Sequence, residues 1–243
     1  MKKIVCETYE AMSAVAAFII AAQVQSKPKS VIGFATGSTP LGTYKRLTEL
    51  YSAGFVDFSK ITSSNLDEYY PIKRDNPQSY YYFMTKNLFD HINIAHDQIH
   101  IPNGECRDPV KECADYDYKL NDVYGGTDLQ ILGIGNNGHI AFIEPGEKLP
   151  ASTSLVDLAE DTIDANSRFF ADRNDVPRQA ISMGLGGISN SRHILLLISG
   201  KGKAEIAKTL FEGYVTPKIP ATFLNLHPNV TVLMDADANG GSC

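Results

Sequence analysis

Cysteine is sparse in this chain, and what there is does not cluster. The four cysteines, Cys6, Cys106, Cys113 and Cys243, form no CxxC pair and have no histidine at zinc-ligand spacing, so reduced thiols and no metal site are expected. A long hydrophobic run is also missing. The most apolar early stretch, residues 11–22, is too short to span a bilayer and leads into the polar run 23–29. Lys2 and Lys3 are followed by no small-residue cleavage site, so neither a signal peptide nor a membrane partner is expected, and the cytoplasm is the expected compartment. Excess positive charge is lacking as well. The formal net charge is -6, which argues against a protein that coats nucleic acid, although a local basic patch could hold one phosphate. No internal repeat or low-complexity tract interrupts the sequence.

What is present reads as ordinary globular composition, with 43% hydrophobic and 21% charged residues over 243 positions. That length suits one sizeable core, and a single domain covering 1–243 is expected. Strand-like and helix-like segments alternate throughout: strands at 3–6, 30–35, 61–66, 128–134, 193–198 and 230–234, helices at 9–24, 40–51, 80–89 and 110–124. A further helix follows the turn at 199–203 and ends near Gly213, and the tail 235–243 is expected to fray. The runs DLQILGI and HILLLI are continuously apolar, as central strands buried on both faces must be. The pattern predicts an α/β fold, a mainly parallel sheet with helices on both faces.

Ligands of such sheets sit beyond the carboxyl ends of the strands, so the residues there come first. After the second strand, Thr36-Gly37-Ser38-Thr39-Pro40 offers backbone N–H groups at a helix start, either an anion site or an ordinary cap. After the third, Asn65-Leu66-Asp67-Glu68-Tyr69 places two carboxylates side by side. Neighbours on an extended chain point to opposite sides, so only one of the pair can face a ligand; the alternative is that Asp67 caps a turn and Glu68 is solvated. Gly133-Ile134-Gly135-Asn136-Asn137-Gly138-His139 contains a GxGxxG, but Pro145, Gly146 and Pro150 follow where a dinucleotide fingerprint needs a helix. What remains is a loop presenting Asn137 and His139 with Glu144 close behind, the equipment for moving a proton near neutral pH. Arg168 and Lys203 are cations suited to a phosphate, and Lys203 stands in the first turn of a predicted helix, where an anion would favour it.

Together TGSTP, NLDEY, SYYYFM, GIGNNGHIAFIEPG, ANSRFF and SGKGKA, in this order over nearly the whole chain, resemble the glucosamine-6-phosphate deaminase family. The resemblance implies a Rossmann-like, doubly wound fold and conversion of glucosamine 6-phosphate and water to fructose 6-phosphate and ammonia, without a cofactor. It implies that His139 opens the pyranose ring with Glu144 and Asn137 beside it, and that Asp67 takes the C2 proton. Thr36, Gly37, Ser38, Thr39, Arg168 and Lys203 would hold the phosphate, and residues 152–177 would form a lid. Two positions depart from the family pattern: Ile143 stands where Asn is usual, and Asn137 where some members carry Asp. The stretch Ala151-Ser152-Thr153-Ser154-Leu155-Val156 lacks the cations that bind an activating acetylated sugar in longer, hexameric members, and their extended C-terminus is absent. A monomer or small homo-oligomer without that activation is therefore expected. Two rivals share the fold: a 6-phosphogluconolactonase-like hydrolase, and a non-catalytic sugar-phosphate sensor, which would need a DNA-binding unit that the stretch before Ser30 is too short to hold.

Overall fold

The structure is a computed structural model that describes residues 1–167, 170 and 172–241. Seven strands form one sheet: β1 (Lys2–Cys6), β2 (Val31–Phe34), β3 (Thr62–Asn65), β5 (Ile99–His100), β6 (Leu129–Leu132), β9 (Ile194–Ile198) and β10 (Val230–Asp235). Their order is β1-β10-β9-β6-β2-β3-β5, and every neighbouring pair is parallel. All seven carboxyl ends therefore open on one edge. The two apolar runs became β6 and β9, adjacent inner strands in which every residue is buried, as that composition requires. From β2 the chain moves outward to β3, whereas from β6 it moves the other way to β9. The reversal lies between β2 and β6, the position where this class of sheet leaves a crevice.

The helices around the sheet start where capping chemistry allows. In α1 (Tyr9–Ser26) the Thr8 hydroxyl accepts from Ala11 N, and the buried positions Met12, Ala16, Ile20 and Val24 recur at four-residue spacing. Ser79 caps α3 (Tyr80–Asn87), and Asp108 with Pro109 opens α4 (Pro109–Asp117). The helix expected over 110–124 instead widens once: α4 passes at Tyr118 into a π-helical turn reaching Val123. Helix α2 (Leu41–Ser52) follows the Thr36 turn, and α6 (Leu185–Ser189) and α7 (Ala204–Thr209) come late in the chain.

Two expectations need correcting. The strand expected over 61–66 stops at Asn65, and the chain then enters a second sheet, with β4 (Asp67–Tyr70) antiparallel to β8 (Gln179–Ser182) and β8 antiparallel to β7 (Ser154–Asp157). Each of these strands has four residues, and none carries an apolar run long enough to announce itself. The tail does not fray at Asp235: that carboxylate accepts from Ser199 Oγ, Gly200 N and Ala238 N, and Ala238 is buried. Residues 242 and 243 of that tail lie outside the described residues. Helix α5 (Glu160–Ser167) runs beside the small sheet, where Leu158, Ile163 and Val176 join Tyr69, Ile72, Phe142 and Ala180 in a cluster apart from the main core.

Candidate active site

The loop after β6 is folded around one imidazole. Gly135 N donates to the His139 carbonyl at 2.9 Å and Gly138 N to the Gly135 carbonyl at 3.0 Å. A side chain at Gly135 would put its Cβ 2.2 Å from the His139 ring, so only glycine leaves room for it. Gly138 has φ +84°, a left-handed conformation that glycine adopts without strain. The glycines that mimic a dinucleotide fingerprint thus build a seat for His139.

Asn137 Oδ1 accepts from the His139 backbone N–H at 3.1 Å, and its Nδ2 donates to Glu144 Oε2 at 2.8 Å. Glu144 Oε1 stands 3.5 Å from His139 Nδ1 and accepts from Thr162 Oγ1. Burial acts to raise the Glu144 pKa but is outweighed by His139, Thr162 and Asn137, which bring it down to about 2. The carboxylate is therefore ionised at neutral pH, placed to steady a charged imidazole. Ile143, the departure beside Glu144, turns its side chain into the main hydrophobic core and is 1% exposed.

Asp67 and Glu68 take different environments, as alternation on a strand demands. Glu68 is not solvated: it is 2% exposed and accepts from the backbone N–H groups of Tyr69, Tyr80 and Tyr81, each at 2.9 Å. It fastens the start of α3 to β4. Asp67 is also buried, with no hydrogen-bond donor or ion-pair partner for its carboxylate among the described residues. Burial, with Glu68 adding like charge, pushes its pKa up to about 8.

Three of the sequence-predicted pieces meet at this point. Asp67 lies opposite Ser182 in the β4–β8 register, and the Ser182 hydroxyl accepts from Phe142 N at 3.1 Å, pinning the His139–Glu144 loop beside the strand that carries Asp67. The Phe142 ring lies 5.7 Å from Tyr69 and 5.9 Å from Tyr80, stacked on the latter. Asp67, Tyr69 and Thr36 all act on the Tyr80 hydroxyl, which brings the Thr36 turn to the same place. Ser182 carries no sequence signal that separates it from other strand residues, and Tyr80, within SYYYFM, has no role assigned by that motif.

At the Thr36 turn, Gly37 has φ +101° and the N–H groups of Gly37, Ser38 and Thr39 have no acceptor among the described residues. The Tyr9 hydroxyl braces the turn from α1, accepting from Gly42 N at 2.8 Å and facing the Ser38 and Thr39 carbonyls at 3.2 and 3.1 Å. Lys203 precedes α7, with no carboxylate at ion-pair distance among the described residues, and partial burial lowers its pKa to about 8. Asp235 sets the loop that leads to it, through Ser199 and Gly200. The Thr36 and Lys203 turns follow strands two apart in the sheet, so they stand roughly 10 Å apart at the same edge. Arg168 lies outside the described residues. No group of three or more His, Cys, Asp or Glu side chains converges as a metal site among the described residues.

A parallel α/β sheet with an imidazole and a carboxylate on the loop at its switch point places the chain among the doubly wound α/β proteins, and comparison narrows the class. The profile of the family described as glucosamine-6-phosphate isomerases/6-phosphogluconolactonase matches residues 7–233, and the chain belongs to that family. A glucosamine-6-phosphate deaminase from Thermoanaerobacter pseudethanolicus is 52% identical over 238 residues, covering 98% of this chain and 94% of its own. A solved monomeric glucosamine-6-phosphate deaminase superposes with a TM-score of 0.96 at 45% identity, covering 99% of this chain and all of its own. A 6-phosphogluconolactonase from Trypanosoma cruzi shares the fold at a TM-score of 0.76, with 20% identity, 98% of this chain and 96% of its own covered.

Proposed function

We propose that this chain is a glucosamine-6-phosphate deaminase, converting its substrate and water to fructose 6-phosphate and ammonia. The observation that carries the reading is the Ser182 link, which holds the His139–Glu144 loop against the strand bearing Asp67. An imidazole backed by an ionised carboxylate suits ring opening: it accepts the anomeric hydroxyl proton while the ring oxygen gains one. A buried carboxylate with no donor among the described residues suits abstraction of the weakly acidic C2 proton, which Asp67 passes toward C1, leaving an imine at C2. Water then replaces the amine at C2, and ammonia leaves. The Thr36–Thr39 turn and Lys203, with Arg168, grip the phosphate, and binding energy from that remote group positions the reacting carbons. None of these steps exchanges electrons with a cofactor.

Residues 152–177 are read as the lid, and within the described part of this stretch Arg173 pairs with Glu160 and Asp164 of α5. The protein works as a monomer in the cytoplasm: the solved deaminase it resembles is described as monomeric, no described helix is long and apolar enough to cross a membrane, and Cys106 and Cys113 are thiols. Ammonia release from glucosamine 6-phosphate by the purified chain tests the activity, with His139→Gln expected to lower kcat by about 10²-fold. Hydrolysis of a sugar-phosphate lactone without ammonia release would favour the hydrolase instead. Light scattering tests the assembly, the expected mass being 26.6 kDa.

A further inference from the structure

The Glu144 carboxylate is held by donors from two separate parts of the chain. Asn137, in the same loop, takes Oε2 at 2.8 Å; Thr162, from α5, donates through Oγ1 to Oε1 at 2.5 Å. Oε1 is also the oxygen that faces His139 Nδ1, at 3.5 Å. That separation exceeds the usual 2.7–3.2 Å range of an N–H···O bond, and Nδ1 is buried without any other partner. A shift of a few tenths of an ångström in the carboxylate therefore makes or loses the contact that steadies the imidazole. Thr162 is 6% exposed, so water cannot easily replace its hydroxyl on Oε1. Thr162 is thus a donor from the α5 side of the cleft to the oxygen that decides the His139 contact.

We infer that Thr162 is a positioning residue for ring opening: its hydroxyl, carried on α5, sets Glu144 Oε1 against His139 Nδ1 and so links the placement of α5 to assembly of the proton-transfer pair. The inference rests on the deaminase reading above. In that step the C1–O5 bond breaks, the O1–H proton goes to His139 and the imidazolium returns it to O5, so the step is a balanced isomerisation with no oxidant or reductant. The imidazolium formed meanwhile needs a carboxylate at its other nitrogen. Without the Thr162 hydroxyl, the Glu144 carboxylate loses one of its two donors and the pair is mispositioned, while the groups that bind the sugar phosphate are untouched. A Thr162 that served only to dock α5 would instead reveal itself in substrate binding.

The full chain and its Thr162→Val and Thr162→Ser variants are assayed for ammonia release from glucosamine 6-phosphate. Their affinity for 2-amino-2-deoxyglucitol 6-phosphate, an open-chain phosphate that needs no ring opening, is measured by calorimetry. Valine keeps the shape and loses the donor, so kcat is expected to fall about tenfold while KM and the open-chain Kd stay within about twofold of the parent. Serine, which keeps the donor, is expected to restore kcat to within about threefold. An unchanged kcat in the valine variant, a loss carried by KM together with weaker open-chain binding, or a serine variant no better than valine would each overturn the inference. Absence of ammonia release by the parent chain is a different result, which overturns the deaminase reading and takes the inference with it.

Discussion

On the proposed reading Asp67 removes a carbon-bound proton and must be ionised, yet it is buried with Glu68 beside it, and its pKa rises to about 8 as a result. Because the ionised form is the active one, kcat/KM is expected to climb as pH rises toward about 8, and initial rates across pH 6–9 measure the climb. Asp67→Asn is expected to lower kcat by at least about 10²-fold while still binding substrate in calorimetry; undiminished turnover would remove Asp67 from its role. On the proposed reading Lys203 grips the phosphate, and burial lowers its pKa to about 8, so the charge that would bind is easily lost as pH rises. Lys203→Ala is expected to raise KM by roughly tenfold with a smaller change in kcat. A variant whose KM stays put would free Lys203 from phosphate binding.

At the scale of elements, Glu68 joins β4 to α3 through three backbone N–H groups and at the same time keeps like charge beside Asp67. In Glu68→Gln the neighbouring charge is gone, Asp67 ionises more readily, and the acidic limb of the kcat/KM profile moves to lower pH. The shift is expected to be on the order of half a unit to one unit. An unmoved limb would mean that Asp67 is set by burial alone. The two carboxylates also show where reading the sequence stops. Alternation along NLDEY indicates that Asp67 and Glu68 diverge, but not that β3 has ended and a second sheet has begun. That sheet needs β8, more than a hundred residues away, to declare it. Strands β6 and β9 were legible because burial on both faces writes itself as an unbroken apolar run, and His139 with Glu144 was legible because a tight loop keeps them five residues apart. Ser182, Thr162 and Asp235 were not, since each reaches a site residue or loop from a distant stretch of sequence through a single polar side chain. A lone serine, threonine or aspartate has no pattern to betray such a contact.

For the whole molecule, the same buried carboxylates tie stability to pH. Asp67 titrates near 3.8 when exposed and near 8 in the fold, and Glu68 near 4.5 and 7, so over these windows the folded chain holds protons that the unfolded chain has released. Stability must then fall as pH rises from about 4 to about 8. Glu144 works in the opposite sense: its pKa drops from 4.5 to about 2, so its contribution is complete above 4.5 and is lost as pH falls toward 2. Together they place greatest stability in mildly acidic solution, below the pH at which Asp67 is ready to act. Asp67→Asn keeps the shape of the side chain and removes the larger of the two upward shifts. At pH 8 it is therefore expected to melt above the parent by on the order of 5 °C, the effect of roughly 1–2 kcal/mol in a chain of this length. At pH 4, close to the exposed carboxyl's own value, the unfolded chain gains little by releasing that proton, and the two should melt within about 2 °C of each other. Scanning calorimetry of both proteins at the two pH values makes the comparison. A parent whose melting temperature does not fall between them, or a variant that melts lower at pH 8, would show that Asp67 bears no charge penalty in the fold, and would remove burial as the reason it serves as a base near pH 8.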